Sequence, residues 1–179
     1  SFGGAIAVST YRPVYIDHCQ FYDNHAEQYH AGAIYIYPKD QASNDKYNTE
    51  TSITNCYFEH NYISEPDRAR VIYIGIHDDD IDVDRMKVII QNNTFSDNYD
   101  PSTDNNKNNQ FHILSDKKHS EGFIVSNCSF EFSNPGSGTS CRALKFADNI
   151  HTITINTSKF INLYSIEGAA IYIDHQDIS

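Results

Sequence analysis

Tryptophan is absent from this sequence, which removes the Trp-Asp signature of a β-propeller repeat. Positive charge is scarce: 13 Lys and Arg stand against 24 Asp and Glu, for a formal net charge of −11. No basic cluster exceeds a pair such as Lys117-Lys118. Phosphate backbones and anionic lipid surfaces both need concentrated positive charge, so no nucleic-acid partner is expected and an anionic membrane surface is disfavoured. No apolar run approaches the ~20 residues of a spanning helix. The four cysteines form neither a C-x-x-C pair nor a Cys/His spacing, so zinc is not indicated. A regular leucine spacing, as in leucine-rich repeats, is missing as well. The opening "SFGGAIAV" has no signal-peptide pattern. The chain begins and ends inside its own repeat, so it is expected to be one domain over 1–179 cut from a longer repeat protein.

What is present is a strand-and-turn vocabulary: Asn, Ile, Ser and Thr, with 13 Tyr and 10 Phe. Five stretches align without gaps: "VYIDHCQFYDN" from Val14, "TSITNCYFEHN" from Thr51, "VIIQNNTFSDN" from Val88, "FIVSNCSFEFS" from Phe123 and "ITINTSKFINL" from Ile153. A second set alternates with them, including "GGAIAV" from Gly3, "AGAIYI" from Ala31, "ARVIYI" from Ala69 and "GAAIYI" from Gly168. Self-similarity at this period marks a solenoid. Within each stretch apolar and polar residues alternate with the period of a strand.

Stacking like on like accounts for the phrase. In a parallel β-helix successive coils lie about 4.8 Å apart, so each position becomes an axial column. Phe21, Phe58, Phe95, Phe130 and Phe160 form a Phe ladder, and Ile16, Ile53, Ile90, Val125 and Ile155 an aliphatic one. His18, Asn55, Asn92, Asn127 and Thr157 form a polar column. Asn tolerates left-handed backbone and bonds its neighbour through the side-chain amide, so Asn55, Asn92 and Asn127 are expected to build a ladder at a tight bend. The fold expected is all-β, a single-stranded parallel β-helix of about five coils. Polar inserts at 38–50, 62–69, 77–87, 99–109 and 133–140 fall between the strands as corner loops.

Two motifs, "GGAI" and "FxxN", alternate along the chain. The first stands at Gly3-Gly4-Ala5-Ile6 and Ala31-Gly32-Ala33-Ile34, and degenerately at Gly168-Ala169-Ala170-Ile171; the second is "FYDN", "FEHN" and "FSDN", lost at "FEFS" and "FINL". The chain thereby resembles the polymorphic membrane protein repeats of bacterial autotransporter adhesins and similar repeats of protist surface proteins. The resemblance implies a right-handed, pectin-lyase-like solenoid in a cell-surface or secreted adhesin. It carries no catalytic residues across, because its motifs are architectural.

Few residues look chemical. In "HDDDIDVDR", an extended backbone projects Asp78, Asp80, Asp82 and Asp84 to one side. Converging carboxylates suit Ca²⁺, although no EF-hand Gly or terminal Glu is present; the plainer reading is a solvated acidic loop. Ca²⁺ is the one cofactor the sequence offers. Tyr35, Tyr73 and Tyr172 share a column between inward aliphatics and are expected to form an exposed binding stripe for a protein or glycan, or else to cover the sheet face. Cys19, Cys56 and Cys128 occupy one column and are expected to be free thiols serving as small ladder residues. Asp17 and Asp174 lie in different columns, and the Asn-Thr-Asp, Gly-His-Gly and Arg-Ile-Lys signatures of polygalacturonases are missing. Arg70 and Arg142 are candidates for a lyase by position alone. No catalytic residue is assigned. Three functions stay open: a non-enzymatic scaffold or interaction segment of a surface adhesin, a polysaccharide lyase or hydrolase on the same coil, and an intracellular rod docked on a larger filament. Exposed terminal coils are expected to make end-on contacts with further coils or neighbouring chains.

Overall fold

The computed structural model describes residues 4–10, 12–27, 31–38, 49–64, 69–75, 86–98, 111–116, 122–133, 142–146, 150, 152–164 and 169–173. They wind through five coils. The first holds β1 (Ile6–Thr10), β2 (Val14–Asp17), β3 (Gln20–Tyr22) and β4 (His25–Ala26); the second holds β5 (Ile34–Pro38), β6 (Thr49–Thr54), β7 (Tyr57–Glu59) and β8 (Tyr62–Ile63). The third has β9 (Ala69–Gly75), β10 (Met86–Gln91) and β11 (Thr94–Ser96), and the fourth β12 (Phe111–Asp116), β13 (Gly122–Ser126) and β14 (Ser129–Glu131). The fifth has β15 (Arg142–Phe146), β16 (Ile153–Asn156) and β17 (Lys159–Ile161), after which β18 (Ile171–Ile173) rejoins the first sheet.

Every named pairing is parallel, between a strand and its counterpart one coil away. The first sheet runs β1-β5-β9-β12-β15-β18, the second β16-β13-β10-β6-β2 and the third β17-β14-β11-β7-β3, with a small β4-β8 pair. An all-β chain of parallel sheets, with no helix among the described residues, is the arrangement of a parallel β-helix. The columns expected from the repeat are present in register. Ile16, Ile53, Ile90, Val125 and Ile155 pair in sequence and face a core that is fully buried in the middle coils. The five Phe residues pair likewise. Their rings stack at centroid separations of 4.8, 4.8, 4.7 and 5.3 Å, within 5° of parallel. Free aromatic pairs prefer an edge or an offset; here the strand register sets the spacing and the core closes around the file.

Two corners of the coil are made by left-handed residues. His18, Asn55, Asn92, Asn127 and Thr157 have φ of 50–55° at the bend from the second sheet to the third. Asp23, His60, Asp97 and Asn162 have φ of 47–54° at the next bend. The short polar side chains at most of these positions are those that tolerate αL. The return to the first sheet is crowded instead. A Cβ on Gly32 would lie 2.1 Å from the Arg70 carbonyl oxygen and 2.5 Å from that of Tyr62, so only glycine fits there.

The second set of stretches does not stay in step throughout. Between β9 and β12, Ala69 pairs with Phe111 but Ile72 pairs with Ile113, so β9 carries one extra residue and bulges at Arg70-Val71. Lys145, rather than an aromatic residue, then takes the place between Leu114 and Tyr172 in the column of Tyr35 and Tyr73.

Candidate functional site

At the outer bend three amides and a carboxylate form a directed chain. Asn127 Nδ2 donates to Asn92 Oδ1 at 2.8 Å, Asn92 Nδ2 to Asn55 Oδ1 at 3.0 Å and Asn55 Nδ2 to Asp17 Oδ1 at 2.8 Å. Thr54 Oγ1 also donates to Asp17, at 2.6 Å, and His18 Nδ1 lies 2.7 Å from its other oxygen. These bonds, those of Thr54 and Asn55 foremost, hold the Asp17 carboxyl down at about 2. An acid this strong stays ionised at neutral pH and is no proton donor for glycoside cleavage. Asp17 terminates the ladder.

A second ladder lies inside the coil. Asn24 Nδ2 donates to Asn61 Oδ1 at 2.8 Å, and Asn61 Nδ2 to Asn98 Oδ1 at 3.0 Å. Asn61 and Asn98 also donate to the carbonyls of Phe21 and Phe58 one coil away. Both are fully buried, and the bonds make that burial tolerable. These are the Asn of "FYDN", "FEHN" and "FSDN", and their amides explain why the phrase ends on that residue. The cysteine column sits at the preceding bend, each residue directly after a position of the outer column. Cys19, Cys56 and Cys128 are free; Cys56 N donates to Asn93 Oδ1 at 2.8 Å and Cys128 N to Ser158 Oγ at 3.2 Å, so small side chains alternate in one file. Burial pushes the Cys56 thiol up to about 11, which makes it unreactive. Cys141 lies outside the described residues.

The expected open tyrosine stripe is corrected by the structure. Tyr35, Tyr73 and Tyr172 do share a column, but Tyr35 and Tyr73 are only 6% and 4% exposed. Their rings stack at 5.6 Å over Ala31 and Ala69, with Tyr37 alongside. Small neighbours leave room for the rings to lie along the sheet, and Tyr73 folds back over Gly75, where a Cβ would stand 2.4 Å from the ring. Burial raises the Tyr35 phenol above its ordinary range. Tyr172 is half-buried beside a different cluster, in which Arg142 and Lys145 lie 5.1–5.8 Å from the ring centres of Phe111 and Tyr172. Cations over aromatic faces make this a structural cover on the outside of the sheet.

The acidic run with Asp78, Asp80, Asp82 and Asp84 lies outside the described residues. Among the described residues no group of three His, Cys, Asp or Glu is arranged to hold a metal ion, and no helix is long and apolar enough to cross a membrane.

The most unusual described site was not anticipated as a unit. Where coils three and four meet, the inner Asn ladder stops at Asn98. The next coil offers Phe132 and Ser133 instead, Phe132 lacks the positive φ of its counterparts, and its side chain is buried. Arg70 replaces the small residue of the Gly32 corner. Its guanidinium is buried, donates from Nη1 to the Asn98 carbonyl at 3.0 Å and lies 5.8 Å from the Phe132 ring centre. His112 enters the column occupied by Ala33, Val71 and Ala143 elsewhere, and is fully buried. Its ring meets Phe95, Phe130 and Phe132 edge to face at 5.9, 5.9 and 5.0 Å, and neither ring nitrogen has a hydrogen-bond partner. The signal in the sequence was the simultaneous loss of Asn at "FEFS" and arrival of a large polar residue in a column of small apolar ones. No family model, curated protein or solved structure matches this chain.

Proposed function

We propose that this chain is a non-enzymatic scaffold and interaction segment, wound as a right-handed parallel β-helix and belonging to an adhesin-like protein at a cell surface or secreted from it. The observation that carries the reading is the use of the repeated columns. Phe, aliphatic, Asn and Cys files all serve to hold one coil on the next. Such a body is a stiff rod that positions its corner loops, and loops on rigid scaffolds are where binding concentrates. Right-handed winding follows from the strong handedness of crossovers between parallel strands, and the "GGAI" and "FxxN" resemblance points the same way. Ile171 and Ile173 belong to inward columns yet are 38% and 58% exposed, which supports end-on contact with a further coil or a neighbouring chain. The partner is a protein or glycan surface.

The test pairs two measurements. Labelled protein is offered to arrays of glycans and to intact cells, and the same protein is incubated with pectin, alginate and related polymers. Saturable binding without depolymerisation is the expected result. Clear depolymerisation would overturn the scaffold reading in favour of a polysaccharide lyase or hydrolase. The free thiols of Cys19, Cys56 and Cys128 favour one other reading, an intracellular rod docked on a larger assembly; recovery of the native protein from the cell exterior would exclude it.

A further inference from the structure

We propose that the seam between the third and fourth coils is an acid-sensitive joint, in which proton uptake by His112 separates the two halves of the solenoid. Three irregularities meet there and nowhere else among the described residues: the β9 bulge opposite His112, the end of the inner Asn ladder at Asn98, and the loss of the left-handed bend at Phe132. The bulge breaks the register of the first sheet and the amide ladder ends, while Ser133 N and Oγ donate to the Asp97 carboxylate across the seam at 2.7 and 2.8 Å. What fills the gap is a neutral imidazole against three Phe edges, with no acceptor for a second proton.

Among the described residues, the one charge set against His112 is that of Arg70, which opposes an imidazolium. From β9 it faces the Arg70 guanidinium, a like charge held in place by Asn98. From β11 and β14, and from the bend after β14, it meets Phe95, Phe130 and Phe132. From β15 the neighbour in its column is Ala143, while Arg142 and Lys145 lie over Phe111 and Tyr172 on the outer side of the sheet. No carboxylate faces it among the described residues. Burial first, and Arg70 second, hold its pKa well below 6.5. The sign follows. The open joint binds a proton with the ordinary affinity and the closed joint does not, so closure is fully stable above pH 6.5 and weakens as pH falls below it. With one proton taken up on opening, the opening constant rises toward tenfold per pH unit below pH 6.5, about thirtyfold in all between pH 7.5 and 5.0. The other described histidines, His18, His25 and His60, are exposed.

Segment-resolved hydrogen exchange on the whole chain at pH 7.5 and 5.0, normalised for intrinsic rates, reads the effect. Amides of β9, β11, β12 and β14 are expected to lose protection by about thirtyfold, while β2 and β6 in the first two coils change by less than threefold. His112→Phe and His112→Asn are each expected to abolish the selective change at the joint. On isotope-labelled wild-type protein, the His112 imidazole is expected to stay neutral by NMR for as long as the joint is protected. Equal acid sensitivity in β2 and β6, persistence of the change in either variant, or a protonated His112 in a protected joint would overturn the proposal.

Discussion

Truncating Phe95 to alanine removes the middle rung of the axial file. Phe95 is completely buried, with Phe58 at 4.8 Å on one side and Phe130 at 4.7 Å on the other. The cavity has rigid walls, because the strands that frame it are pinned on both sides by parallel pairing. A Phe→Ala change in such a site costs about 3–5 kcal/mol. Phe160 is the contrast. It is half-buried and stacks in the described file on Phe130 alone, at 5.3 Å, so Phe160→Ala should cost roughly half as much. The decisive number is the coupling. In a double-mutant cycle, Phe58→Ala with Phe95→Ala should show an interaction of roughly 0.5–1.5 kcal/mol. Phe58→Ala with Phe130→Ala, which are two coils apart, should be additive within about 0.5 kcal/mol. Urea melts followed by far-ultraviolet circular dichroism measure all of these. Equal costs at Phe95 and Phe160, or coupling as large between Phe58 and Phe130 as between Phe58 and Phe95, would refute the single-file stack and the coil with it.

Other consequences follow from particular positions. Asn92 has φ 55° and makes one ladder bond on each side; Asn92→Gly should cost about 1–2 kcal/mol for the two bonds, and Asn92→Val about 1–2 kcal/mol more for the left-handed backbone, so a valine tolerated as well as glycine in a thermal melt would contradict the assigned bend. At Gly32, whose added Cβ would strike two backbone carbonyls, Gly32→Ala should cost about 2 kcal/mol or more, and an unchanged Tm would show that the corner is looser than described. The Asp17 carboxyl is depressed from 3.8 to about 2 by its hydrogen bonds, so its contribution is present above pH 3.8 and disappears as pH falls through 2; Asp17→Asn should flatten the acid limb of a stability profile between those values, and an identical limb in the variant would count against the network.

The ladders were legible because parallel in-register stacking writes each column as one residue type at one spacing. Phe21 to Phe160, Ile16 to Ile155 and the Asn of the outer bend could be found by sliding the chain along itself. The inner Asn ladder was visible only as the last letter of "FxxN", since nothing in the spacing says whether Asn61 points in or out. Its burial depends on the left-handed residue just before it, His60, reversing the side-chain alternation. The tyrosine column was located correctly and its exposure was not. Alternation tells that Tyr35 and Tyr73 leave the core, but whether an outward ring stays in water depends on what lies beside it, here Ala31, Ala69 and each other.

By itself the sequence determined the all-β class, the coil period, the strand phase and the residues of the Phe and outer Asn files, because a structure of stacked equivalent coils maps each contact onto a fixed separation along the chain. Only the tertiary structure decided the β9 bulge, the buried Arg70 and the unpartnered His112. Those depend on a one-residue mismatch between neighbouring coils, and a mismatch of that kind changes which side chains meet without altering the periodicity that announces the fold.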